Sequence, residues 1–166
     1  MRSSTRRPGR DEAELLAELE RIYADADQAF AGWSCPASTE CCRFGITGRE
    51  PYVTSVELAA IRRAIAARGG ARSFRPAAPL ADTGAPPRGG RRLPIAERTC
   101  PMLNEAGRCA IYAARPLGCR TFFCDRAEPG ATVRHKDVLS LVRRVQELAA
   151  RHEPGGDQGR PLTRAL

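Results

Sequence analysis

Seven cysteines dominate the chemistry this chain can offer: Cys35, Cys41, Cys42, Cys100, Cys109, Cys119 and Cys124. They form two clusters, one spaced C-x5-C-C and one C-x8-C-x9-C-x4-C, each in turn-rich sequence with Pro or Gly close by. Thiolates are soft ligands and select zinc, copper(I) or iron–sulfur clusters over hard cations. Irregular loops suit such centres because they leave backbone N–H groups free to hydrogen-bond to sulfur. Cysteines that merely fill a core should fall on the periodic faces of helices, whereas all seven of these lie between the helical stretches. An odd thiol count does not close into intramolecular disulfides. The spacing leaves the metal open. Zinc sites usually show C-x2–4-C knuckles, and only the pair Cys119 and Cys124 comes near one, which tilts the reading slightly towards iron.

Three amphipathic helices are available to position these loops. Between Asp11 and Ala31, Leu15, Leu19, Ile22, Tyr23, Ala26 and Phe30 recur at three- and four-residue steps and share one stripe. Asp11, Glu12 and Glu14 open that helix, where the macrodipole favours negative charge, and Gly32 closes it. Thr54 and Glu57 have the form of a capping box. The helix they start carries Leu58, Ile61 and Ile65 on its apolar face and stops at Gly69 and Gly70. A third helix, about His135 to Arg151, presents Val138, Leu141, Val142, Val145, Leu148 and Ala149. Residues 69–94, rich in Gly, Pro, Ala and Arg, read as a long mobile loop, with a short hairpin near Arg91–Ile95 as the other option. Arg108–Tyr112 reads as a short strand. The expected fold is therefore mainly α: a small, metal-stabilised domain of about three helices with irregular cysteine loops, spanning residues 11–152. A basic tail (1–10) precedes it and a Gly-rich flexible tail (153–166) follows it.

Composition points the same way. In 166 residues only 5% are aromatic, and the apolar share of 42% leans on alanine, so the core is thin and needs another constraint. The net charge of +8 is almost all arginine, Lys136 being the sole lysine, a pattern that GC-rich coding also produces. No basic patch interleaved with aromatics accompanies it, which disfavours nucleic acid as a partner and leaves an acidic protein surface as the better one. The N-terminal stretch lacks the apolar segment of a secretory signal, and no run approaches the ~20 apolar residues of a membrane span. A cytoplasmic protein is expected, and in a reducing compartment thiols serve as ligands more often than as disulfides.

Four separated pieces of the sequence carry a resemblance. Cys35-Pro-Ala-Ser-Thr-Glu-Cys41-Cys42 looks like the C-x2-C-x2-C-C signature of the YkgJ-type cysteine-cluster family, a zinc- or iron-chelating domain. Cys100-Pro-Met-Leu103, Gly107-Arg-Cys109-Ala-Ile-Tyr112 and Arg115-Pro-Leu-Gly-Cys119-Arg-Thr-Phe-Phe-Cys124 resemble that family's second half, in the same order. The likeness covers about residues 33–126. Ser38 stands where the family's first motif has its second cysteine, and a hydroxyl is a poor soft-metal ligand. Seven thiols still exceed the four that one tetrahedral zinc or one cubane cluster needs.

The resemblance implies a zinc ion or an iron–sulfur cluster, of which the 4Fe-4S type is preferred. The preferred ligands are Cys35, one of Cys41 and Cys42, Cys119 and Cys124, with Cys100 and Cys109 as close alternatives. Adjacent cysteines project apart in extended chain, so one of Cys41 and Cys42 should ligate and the other face the core. Arg115 and Arg120 flank Cys119 as either charge partners of the centre or structural arginines. His135 and His152 are expected to be helix-terminus histidines rather than ligands, and Tyr112, Phe122 and Phe123 core around the site. A related domain in flagellin lysine N-methylases suggests accessory work near protein modification. No glycine-rich cofactor loop is present, so no methyltransferase activity carries over. The alternatives are a zinc-stapled interaction module without catalysis, and metal storage or delivery.

Overall fold

A computed structural model describes residues 8–31, 39–70, 99–121, 135–155 and 157–166. Cys35, Cys124, the expected hairpin near Arg91–Ile95, Gly32 and nearly all of the 69–94 stretch fall outside these residues, as do residues 1–7. The chain is mainly helical. Helix α1 (Pro8–Ala29) begins inside the stretch expected to be a tail. It is followed by a 3-10 turn (Glu40–Cys42), α2 (Phe44–Thr47), β1 (Tyr52–Val53) and α3 (Ser55–Ala67). After the second cysteine segment come a 3-10 turn at Tyr112–Ala114, α4 (Leu117–Arg120) and α5 (His135–His152), then β2 (Arg160–Pro161) and α6 (Leu162–Ala165).

The apolar stripes read from the sequence build the first core. Leu19, Ile22, Tyr23 and Ala26 of α1 interlock with Leu141, Val145, Leu148 and Ala149 of α5, and Val56 of α3 and Leu117 of α4 close the layer. Two half-exposed pairs, Arg144 with Asp25 at 2.7 Å and Arg151 with Glu18, lie along the α1–α5 seam; at such exposure they add little to stability. Helix α3 is the wall between this core and a second one. Its Leu58 and Ile61 turn the other way, towards Phe44, Val53, Met102, Leu103, Ile111 and Leu162.

Two expectations are corrected here. Arg108–Tyr112 is not a strand. Asn104 accepts from Arg108 N–H through Oδ1 at 2.9 Å, and Gly107 adopts φ 68. The chain therefore reverses tightly, makes one bridge between Leu103 and Cys109, and turns at once into the 3-10 segment. Nor are residues 157–166 a loose tail. Arg160 and Pro161 pair antiparallel with Val53 and Tyr52. Leu162, 2% exposed, fills the second core, and its N–H donates to Pro51 O at 3.0 Å. Asp157 anchors the segment by accepting from the N–H of Ser55, at the start of α3, and from Gly159 N–H at 2.9 Å. Polar, Gly-rich composition hid one buried leucine and one capping aspartate.

Candidate metal centre

Cys41 and Cys42 lie on the 3-10 turn that precedes α2. Thr39 sets that turn up. Its φ of 60 is rare for a β-branched residue, and its carbonyl accepts Cys42 N–H at 2.9 Å. Contrary to the expectation for extended chain, the two neighbouring side chains do not diverge: their sulfurs are 3.9 Å apart. The second segment is stitched to the first by Cys100 N–H donating to Cys42 O at 2.7 Å and by a bridge between Arg43 and Thr99. Cys109 follows on the reversed chain. Cys119 sits on the one-turn helix α4, not in a loop as expected.

Helix α4 is held by three devices. Pro116 is its N-cap and accepts Cys119 N–H at 2.9 Å. Gly118 lies against Pro51, where an added Cβ would come within 3.0 Å of the proline Cβ. Below it, Glu57 is 2% exposed. Its Oε1 accepts Leu117 N–H at 2.8 Å and the Tyr23 hydroxyl at 3.2 Å. Its Oε2 accepts Thr54 N–H at 3.0 Å and the Thr54 hydroxyl at 2.9 Å, completing the capping box expected at this place. Glu57 thus ties α1, α3 and α4 together. Burial, and next the Glu57 charge, hold the Tyr23 phenol well above its ordinary pKa, so it stays a donor.

The two arginines beside Cys119 differ. Arg120 is a strut: its side chain is 4% exposed, it pairs with Asp27 of α1 and donates to Ala113 O, and its Nε donates to Arg115 O at 3.0 Å. Its guanidinium also lies 4.2 Å from the centre of the Tyr23 ring. Arg115 stacks 4.1 Å from the centre of the Tyr112 ring and stands 3.6 Å from Asp27. His152 is spent on Ser55, 2.9 Å from its hydroxyl.

Cys41, Cys42, Cys100, Cys109 and Cys119 are all free thiols, and Cys41, Cys42, Cys109 and Cys119 are each raised in part by other cysteines. Burial pushes the Cys119 thiol well up, and the charges of Cys42, Cys109 and Cys41 add to it. Cys42 is pushed up to about 12, foremost by hydrogen bonding with Cys100 and then by burial, against a lowering from Cys41. Cys41 is raised by its hydrogen bond with Cys42 and by burial, with Arg115 opposing. Burial also raises Cys109, against the Ile111 N–H aimed at its sulfur and the charge of Arg115. Thiols that raise one another in this way oppose being ionised together, and a cation among them removes the opposition.

The donor set suits a thiolate-bound metal. Two sulfurs on one tetrahedral zinc, with Zn–S about 2.3 Å, stand about 3.8 Å apart, close to the separation of Cys41 and Cys42. Among the described residues no three Cys, His, Asp or Glu side chains are already gathered around a single ion position. Sequence reasoning named these thiols, put Glu57 in a capping box and Tyr23 on an apolar stripe, but gave neither of them, nor Gly118, a part in holding α4, which depends on the elements that meet there. No helix among the described residues is long and apolar enough to cross a membrane.

No curated protein and no solved structure matches the chain closely enough to count as a relative. A family model does match, over residues 34–138, more than half of the sequence. That stretch takes in all seven cysteines together with α3, the wall between the two cores. The chain belongs to the CxxCxxCC family, whose description reads "putative zinc- or iron-chelating domain".

Proposed function

We propose that this protein holds an iron–sulfur cluster through thiolates drawn from both cysteine segments. Cys41 or Cys42 supplies the first segment and Cys119 the second; Cys109 and Cys100 stand beside them, and Cys35 and Cys124 complete the supply. The observation that carries this reading is that free thiols from two distant stretches meet: Cys100 N–H donates to Cys42 O at 2.7 Å, and Cys42, Cys100 and Cys109 pack in one cluster. The thiol count, and spacings unlike zinc knuckles, favour iron. Such a cluster would supply one-electron redox chemistry. The protein's own part is to enclose the sulfurs, to aim backbone N–H groups at them and to place arginine charge nearby. Redox or accessory work in protein modification, in the cytoplasm and against an acidic partner surface, follows as the role.

A zinc-stapled module is the second reading, favoured by the spacing of the Cys41 and Cys42 sulfurs, which fits two corners of a tetrahedron. Anaerobic purification, a visible absorption spectrum and analysis for iron, zinc and sulfide separate the two. Brown protein with equal iron and sulfide supports the cluster. Colourless protein with stoichiometric zinc replaces it by the structural reading, and metal lost on dialysis points to storage or delivery. Protein that takes up neither metal overturns the proposal.

A further inference from the structure

One polar atom on the stretch between Cys109 and Cys119, directly before the Pro116 that caps α4 and accepts Cys119 N–H, has no partner among the described residues. Among the described residues, Arg115 Nε is a buried side-chain nitrogen without a hydrogen bond. The rest of the side chain is well fixed. Arg115 is followed by Pro116, which holds it extended at φ −60 and ψ 138. Its backbone carbonyl is occupied by Arg120 Nε. Its guanidinium is stacked on Tyr112 and turned through one terminal nitrogen towards Asp27. A planar guanidinium held in this way cannot swing its Nε–H out to water without losing both contacts. The charge acts on the Cys41 and Cys109 thiols, one from each cysteine segment.

A neutral thiol is a weak acceptor, and a metal-bound thiolate is a strong one that centres of this kind surround with N–H donors. An orphaned donor on the turn that leads from Cys109 into the helix of Cys119 is therefore matched to the charged form of the site. We infer that Arg115 is a positioning residue of the metal centre, its Nε–H donating to a metal-bound thiolate of Cys41 or Cys109, while Arg120 is the strut that fixes α4 to α1. The inference rests on the thiolate-centre reading above. It separates two arginines that look equivalent in Arg115-Pro-Leu-Gly-Cys119-Arg120, assigning one to the metal and the other to the scaffold.

The test uses the full chain and its Arg115→Met, Arg115→Lys and Arg120→Met variants. Each is titrated with cobalt(II) and with zinc against a chromophoric chelator, and each metal-free form is melted. In wild type, cobalt(II) should give intense thiolate-to-metal absorption. Arg115→Met should lower metal affinity about ten- to a hundredfold and shift that absorption, while the metal-free chain melts no lower than wild type, because a buried unsatisfied donor has been removed. Arg115→Lys keeps the charge without the planar Nε–H and should restore only part of the affinity. Arg120→Met should instead lower the melting temperature of the metal-free chain. Unchanged affinity and absorption in both Arg115 variants would overturn the inference and leave the thiolate centre standing. Loss of metal-free stability in Arg115→Met, with affinity and absorption intact, would overturn it equally and make Arg115 a scaffold residue. Absence of thiolate absorption in wild type, together with no uptake of iron and sulfide under anaerobic conditions, would remove the centre itself, and the inference with it.

Discussion

Glu57 is the N3 residue of a capping box and also a nearly inaccessible carboxylate with four donors around it. In an isolated helix the cap would be worth about 1 kcal/mol. Here its removal strands the Leu117 N–H and the Tyr23 hydroxyl in the first core, each unsatisfied group costing about 1–3 kcal/mol. Glu57→Ala is therefore expected to lower unfolding stability by about 3–5 kcal/mol, checked by the urea midpoint at constant m-value. Because the lost Leu117 bond also frees the start of α4, the variant should bind zinc more weakly than its stability alone explains. A gentler change, Glu57→Gln, keeps an acceptor for Leu117 but brings its own N–H2 against the Thr54 donors. It should fall between wild type and Ala in the same measurement.

Helix α4 shows how a short element can be precise without much intrinsic stability. One turn of helix cannot sustain itself, so Cys119 is placed by what α4 touches: Pro51 through Gly118, Glu57 through Leu117, and α1 through Arg120. Gly118→Ala should push α4 away from Pro51 by a few tenths of an ångström. The expected outcome is a metal affinity several-fold below wild type with the helical circular-dichroism signal unchanged. The docking of β2 and α6, besides its strand pairing and the buried Leu162, draws on one carboxylate. Burial presses the Asp157 carboxyl upward, but the amides of Ser55 and Gly159 outweigh it and hold it below the usual carboxylate range. A carboxyl lowered on folding contributes stability above its unfolded pKa, about 3.9, and loses it as pH falls through the lower folded value. Proteolysis of the C-terminal segment should therefore accelerate on acidification below about pH 4. Asp157→Asn should be cleaved faster at neutral pH and show a flatter response to acid. These elements also mark the limits of the sequence as a guide. The long helices were legible because α1, α3 and α5 carry apolar stripes of the right period, and the capping box at Thr54 because its pattern is local. Leu162 and Asp157 were not, since the polar, Gly- and Pro-rich residues 153–161 carry no period that signals burial. Their partners, Pro51 and Ser55, lie in another part of the chain.

The molecule as a whole has two cores of unequal character. The α1–α5 core is made of long helices and apolar side chains. The other is assembled from turns, short elements and the thiols themselves, with Cys100 buried in it and Cys42 and Cys109 packed against it. A metal among those thiols would consolidate the second core far more than the first. Chelating the metal from loaded protein should therefore raise amide hydrogen exchange sharply in residues 99–121 and 39–53, and only slightly in α1 and α5. Uniform loss of protection would show instead that the two cores unfold as one. The seven cysteines stood out as candidate ligands from type and context alone. That α3 would divide two cores, with Glu57 bonded to the start of α4, was not legible, because Val56 and Glu57 lie within a pattern that reads only as the start of a helix. The pairing of β1 with β2 has a bearing on how the chain is made. Ser55 and Asp157, which bond across this junction, are 102 positions apart. At synthesis rates of about 5–20 residues per second, that interval lasts roughly 5–20 seconds. Throughout it Phe44, Val53 and Leu58 wait without Leu162 to cover them, and the nascent polypeptide passes through a stage in which the core that Cys100 shares is still open.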